Sequence, residues 1–235
     1  MTTRQYELVQ RAERLWTYEE PLRYRGIEMG RIMSVMKLSG GGLFVHSPAE
    51  LTAQLKSGLD DLGTVRFVAS ASNLHGHLYM EEYEDAYPDV ELLAAPGLAS
   101  RRDDLAFDHQ LGDTPDPRWG TDIDHRVLQG HRLLHELAFF HRTSRTLILG
   151  DFGFHIGASS PLMTRLIARP AGIYRQVGPP LDIKLTVKNK EALRRSMQDV
   201  LAWDFDRIVP GHGEIIETGG RRPLLDGYDW LLSSA

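Results

Sequence analysis

Apolar and polar residues alternate from Arg31 to Leu38 (Arg-Ile-Met-Ser-Val-Met-Lys-Leu), the period of a half-buried strand. Gly40-Gly41-Gly42 supplies a turn, and Leu43-Phe44-Val45-His46 returns, so the pattern predicts a hairpin. Ser47-Pro48 is expected to open a helix with Leu51, Leu55, Leu59 and Leu62 on one face, closed by Gly63. Val65 to Ala69 reads as a strand, Leu78 to Tyr87 as a helix, and Val90 to Ala95 as another strand. Strand, helix, strand, helix, strand implies parallel pairing and right-handed crossovers.

The middle changes character. Leu105 to Gly120 is loop-rich, with Asp113-Thr114-Pro115-Asp116-Pro117 as a turn cluster. Leu137 to His141 and Thr146 to Leu149 predict a second hairpin around Arg142-Thr143-Ser144-Arg145. Helices are expected over Pro161 to Ala168, Lys190 to Trp203 and Pro223 to Leu232, with a late strand at Arg207-Ile208-Val209. No repeat, linker or low-complexity segment divides the chain. The two halves, each a hairpin with α/β units, predict one α/β domain over residues 1–235 with two sheets between helical layers.

Composition adds bounds. The chain has 235 residues, 42% hydrophobic and 25% charged, enough for a sizeable core. A net charge of −5 leaves no broad basic field for nucleic acid or an anionic membrane. There is no cysteine, which excludes disulfides, thiolate ligands and cysteine nucleophiles. Met1-Thr2-Thr3-Arg4-Gln5-Tyr6-Glu7 has no apolar signal core, and no run reaches transmembrane length, so a cytoplasmic location is the expectation. The sequence is silent on oligomeric state.

Three apolar strands end in turns that carry metal-ligand side chains. They are Asn73-Leu74-His75-Gly76-His77, Leu149-Gly150-Asp151 and Val209-Pro210-Gly211-His212-Gly213. Their convergence on one sheet edge would gather imidazoles and a carboxylate, donors that suit zinc, iron or manganese. His75 and His77 share a face on a strand, and on a turn Gly76 lets both rings point inward. Each residue also has a plainer role. His75 and His77 can cap the next helix, Asp151 can make an Asx-turn, and His212 can bond a neighbouring carboxylate. His131 follows a glycine as His212 does, but lies among His125 and His135. His155 follows Asp151 closely and is a further candidate donor. Arg142 and Arg145 are candidates for holding an anionic substrate. The acidic run Glu81, Glu82, Glu84, Asp85 reads as a solvated helix face. No phosphate-binding loop, dinucleotide fingerprint or nucleophile elbow is present.

With these residues in place, the chain resembles the metallo-β-lactamase-like superfamily, and within it an uncharacterised bacterial branch known as a domain of unknown function. The resemblance rests on His46-Ser47-Pro48 with Leu51-Thr52, on Asn73 with His75, on the Phe140-His141 to Ser144-Arg145-Thr146-Leu147 hairpin, and on Gly150-Asp151. It spans roughly Arg31 to Gly213. It implies an αββα four-layer sandwich with the active site along one edge of both sheets.

Set against the superfamily's His-x-His-x-Asp-His motif, the first His position looks like Asn73, the second like His75 and the last like His77, with the Asp deleted. Gly130-His131 resembles the third motif, Asp151 the bridging Asp, and His212 the final Pro-Gly-His. His46 stands where many members carry an early supporting Asp. The resemblance therefore implies one divalent ion rather than two, zinc before iron or manganese, held by His75, His77, Asp151 and His212, with His131 as a fifth contact. The implied activity is hydrolysis of a small-molecule ester, thioester, lactone, amide or phosphodiester. The alternative is a catalytically silent binding or regulatory module on the same fold. An iron-linked oxidoreductase is the third reading, although no flavin- or nicotinamide-binding segment accompanies it.

Overall fold

A computed structural model describes residues 7–24 and 27–233. The first six residues, read above as carrying no signal core, lie outside it. The strands are β1 (Val9–Ala12), β2 (Leu15–Glu20), β3 (Arg23–Tyr24), β4 (Ile27–Glu28), β5 (Arg31–Lys37), β6 (Leu43–His46), β7 (Val65–Ala69), β8 (Glu91–Ala94), β9 (His109–Gln110), β10 (Ile123–Leu128), β11 (Glu136–His141), β12 (Thr146–Ile148), β13 (Phe154–His155), β14 (Arg207–Val209) and β15 (His212–Gly213). The helices are α1 (Ala53–Leu62), α2 (Met80–Ala86), α3 (Leu162–Ala171), α4 (Leu181–Thr186), α5 (Lys190–Leu201) and α6 (Arg221–Leu232).

Two main sheets result. The first runs β1-β2-β5-β6-β7-β8-β9 and the second β10-β11-β12-β14. Strands β6, β7 and β8 are parallel, as the alternation with helices requires. In the second sheet β11 and β12 form the expected antiparallel hairpin, and β14 joins β12 in parallel.

The period-two pattern explains the layering. Val35, Val45, Val68 and Leu92 face Leu55, Leu59, Met80 and Tyr83 of α1 and α2. Their neighbours Met36, Phe44, Phe67 and Leu93 point the other way and meet Leu137, Phe139, Ile148 and Val209 of the second sheet. On that sheet Ala138, Phe140, Leu147 and Ile208 turn outward onto Leu193, Met197, Leu224 and Tyr228 of α5 and α6. The product is helix, sheet, sheet, helix, the αββα sandwich. Among the described residues no helix is long and apolar enough to cross a membrane.

One boundary differs from expectation in a way that shapes the site. The first helix does not open at Ser47-Pro48. Ser47 adopts φ +57°, which turns the chain sharply at the end of β6. The Leu51 amide then donates to the Glu82 carboxylate of α2 at 2.7 Å. Thr52 is the cap that starts α1, its side-chain oxygen accepting from the Leu55 amide.

Candidate metal centre

Strands β12 and β14 are parallel neighbours, so their C-terminal ends lie side by side. The turns that follow carry Asp151 and His212. Gly211 makes this contact possible: a Cβ there would stand 2.4 Å from the Gly150 carbonyl oxygen. The first sheet delivers the third side chain. Beyond β7, Ser72 pairs with Glu136 at the start of β11, and the Leu137 amide donates to the Ala71 carbonyl. These bonds tie the edges of the two sheets together. The Ser72 hydroxyl accepts from the Leu74 and His75 amides and so shapes the turn that presents His75.

His75, Asp151 and His212 offer ligand atoms that all lie within 4.8 Å of one another. His75 Nδ1 is 3.3 Å and His212 Nε2 3.1 Å from Asp151 Oδ1. The two imidazole rings stack at 4.7 Å, and His212 also packs on Phe154 at 4.4 Å. His212 Nδ1 donates to the Gly30 carbonyl at 2.7 Å, which fixes the ring and leaves Nε2 as the inward-facing atom. A backbone carbonyl holding the far nitrogen is the usual outer support of a metal-ligating histidine. Both ring nitrogens of His75 are buried, and Nδ1 faces the Asp151 carboxylate. Burial opposes the charge of Asp151, but the adjacent His75 and then His212 prevail. They hold its carboxyl well below the usual carboxylate range.

Glu136 is the feature the sequence reading missed. It is fully buried, and its two oxygens accept from the Gly150 and Phe152 amides at 2.9 Å each, gripping the turn on either side of Asp151. Burial, followed by the Asp151 charge, pushes its pKa well above the carboxylate range against the pull of those amides. The available signal was a carboxylate beside the apolar run Leu137-Ala138-Phe139-Phe140, where an uncompensated charge is costly.

The other candidates lie outside the three-residue cluster. The Arg102 guanidinium donates to the His77 carbonyl at 2.6 Å and lies 3.4 Å from its Nδ1. Burial and then Arg102 lower the His77 pKa. His131 Nδ1 accepts from the Leu133 and Leu134 amides, and its Nε2 reaches Thr186 Oγ1 at 2.7 Å, so both nitrogens are engaged. His135 donates to the Pro96 carbonyl and His155 to the Glu214 carbonyl. Asn73 does not face the cluster as a donor: its amide bonds the Leu133 carbonyl and the His135 amide. His46 is buried beside Phe139 with neither nitrogen hydrogen-bonded, and burial and then the nearby His75 push its pKa down to about 3. Arg142 and Arg145, on the β11–β12 turn, pair with Asp124 of β10 and with Asp204. That turn lies at the far end of β11 from Glu136, roughly 16 Å away at strand rise, so neither serves this site.

A family model described as Domain of unknown function (DUF4336) matches residues 12–177. Among curated proteins none matches the sequence. Solved structures do. The metallo-beta-lactamase from Pontibacter korlensis is 14% identical, with 98% of this chain and 100% of that one covered at a TM-score of 0.65. The metallo-beta-lactamase from Hirschia baltica is 11% identical, covering 94% and 95% at 0.65. FIM-1 from Pseudomonas aeruginosa, in its mono-zinc form, is 8% identical, covering 97% and 93% at 0.62. Such identities speak for the fold, and the fold is that of the metallo-β-lactamases.

Proposed function

The chain belongs to the family described as Domain of unknown function (DUF4336), and from that membership and its fold we propose a metal-dependent hydrolase that works with one divalent ion. The observation that carries the reading is the meeting of His75, Asp151 and His212 from three separate strand ends. The donors fit the group. Two imidazoles and a carboxylate suit zinc first, with iron and manganese as alternatives. The His212 ring is oriented by Gly30, and the Asp151 turn is gripped by Glu136.

An ion in this place would supply Lewis acidity, lowering the pKa of water to about 7 and polarising an acyl or phosphoryl oxygen. The protein's own part is positional. His75, Asp151 and His212 would hold the ion at the sheet edge. Glu136, through the Gly150 and Phe152 amides, keeps the carboxylate from swinging away. The substrate would be a small ester, thioester, lactone, amide or phosphodiester.

A single ion is favoured because the remaining family positions are spent elsewhere. Asn73 clamps Leu133 and His135, His77 faces Arg102, and His131 faces Thr186. Two histidines with one carboxylate also form the donor set of mononuclear iron(II) oxygenases, which keeps iron-linked oxidation as the second reading.

Elemental analysis of protein purified without a polyhistidine tag tests the proposal. One equivalent per chain is expected, lost in His212→Ala and kept in His77→Ala. Two equivalents, both lost in His77→Ala, would overturn the single-ion reading. No bound ion after incubation with zinc, iron or manganese would leave a binding or regulatory module in place of the enzyme.

A further inference from the structure

Next to His75 lies a recess of about 40 Å³ lined by Arg31, Ser47, Pro48, Leu74, Gly76 and Leu78. It has room for a few water-sized groups, the size of a carboxylate. We propose that this recess is an anion subsite for a substrate that carries a carboxylate on an apolar chain. Arg31 and Ser47 receive the carboxylate, and Leu74 and Leu78 cover the chain. As a substrate subsite it rests on the hydrolase reading; as a binding site it does not need the ion.

Several observations converge on it. Arg31 begins β5 and Ser47 follows β6, and the antiparallel hairpin brings both to the same end. Arg31 is held in place, its Nη2 paired with Glu20 at 2.6 Å and its guanidinium 4.7 Å over the Tyr79 ring. Its Nε is buried with no hydrogen-bond partner, which makes that nitrogen a close reporter of charge entering beside it. A guanidinium anchored through Nη2 keeps further N–H groups for a carboxylate in the recess that Arg31 lines.

Ser47, which lines the recess, takes a left-handed φ of +57°, a conformation that serine adopts rarely. Gly76 keeps the recess open: with φ +73°, a Cβ at this position would stand 2.5 Å from Ser47 Oγ. The rim is apolar. Leu74 and Leu78 are 47% and 68% exposed, one on each side of His75 in sequence. A chain leaving the recess would therefore cover exposed leucine, and a group attached near the carboxylate would lie against the His75 imidazole.

The test is titration of tag-free protein with octanoate and with octanamide, its neutral counterpart, in the presence of EDTA. Octanoate should bind about tenfold tighter, the margin of a hydrogen bond to a charged group over one to a neutral group. The Arg31 Nε–Hε resonance should shift with octanoate and stay in place with octanamide. Arg31→Gln should reduce octanoate to the octanamide level. Ser47→Gly, which suits the left-handed φ, should weaken octanoate alone, whereas Leu78→Ser should weaken both ligands. Should Arg31→Gln fail to fold, the wild-type resonance decides. Equal affinity for the two ligands, or an Arg31 resonance unmoved by octanoate, overturns the subsite. Octanoate preference in a protein that binds no metal upholds the subsite and removes the hydrolase reading. Bound metal without octanoate preference does the reverse.

Discussion

The approach of Gly211 to Gly150 gives the sharpest test of how the candidate centre is built. In Gly211→Ala the new Cβ would meet the Gly150 O, C and Cα at 2.4, 2.6 and 2.8 Å. All three are backbone atoms and none can rotate away. A close carbon–oxygen contact is about 3.3 Å, so the turns bearing Asp151 and His212 must part by about 0.9 Å. Overpacking of this kind costs about 1–3 kcal/mol. For a chain of this length that lowers the melting temperature by roughly 2–12 °C. Metal ligands tolerate displacements of about 0.2 Å, so affinity should fall by about 10- to 100-fold. Gly40→Ala is the control, since nothing lies within 4 Å of a Cβ there. Thermal unfolding in EDTA reads the stability, and competition with a chromogenic chelator reads the affinity. If Gly211→Ala matches Gly40→Ala in both, the close approach does not set the geometry. A loss of stability with unchanged affinity would refute the link from turn to ligand.

Two further outcomes are expected. Burial pushes His141 down to about 4, so the folded protein resists a proton that the unfolded chain accepts near 6.5. Its contribution is complete above about pH 6.5 and is lost as pH falls towards 4, at most about 3 kcal/mol; a His141 ring resonance titrating near 6.5 in the folded protein would contradict this. The interleaved core between the sheets predicts that residues 7–233 unfold as one unit, so urea transitions followed by tryptophan fluorescence and circular dichroism should coincide. Two separate transitions would show independent halves.

Much of the scaffold was legible because its strands alternate. Val65 to Ala69 and Arg207 to Val209 emerge at the expected bounds, and Gly63 and Thr146 mark the ends expected of their elements. Strands β1, β2 and β10 were not foreseen. Gln10-Arg11 and Asp124-His125-Arg126 interrupt the apolar pattern, and partners far along the chain decide such strands. Of the candidate ligands, His75, Asp151 and His212 follow strand ends that the fold brings to one edge. His77 and His131 carried the same local signal, but Arg102 and Thr186 claim them, and nothing in their own neighbourhood announces those partners. Glu136 and Arg31 stayed hidden for the same reason: each acts through residues remote in sequence.

That remoteness has a thermodynamic consequence. His75, Asp151 and His212 sit on separate segments, and no short stretch holds two of them. An unfolded chain therefore has little purchase on an ion, and nearly all of any binding energy counts towards folding. An ion at 100 times its dissociation constant would raise stability by about 2.7 kcal/mol. The melting temperature thereby becomes a gauge of metal preference. Zinc, iron and manganese can be ranked by the shift each produces, in the complete absence of a known substrate.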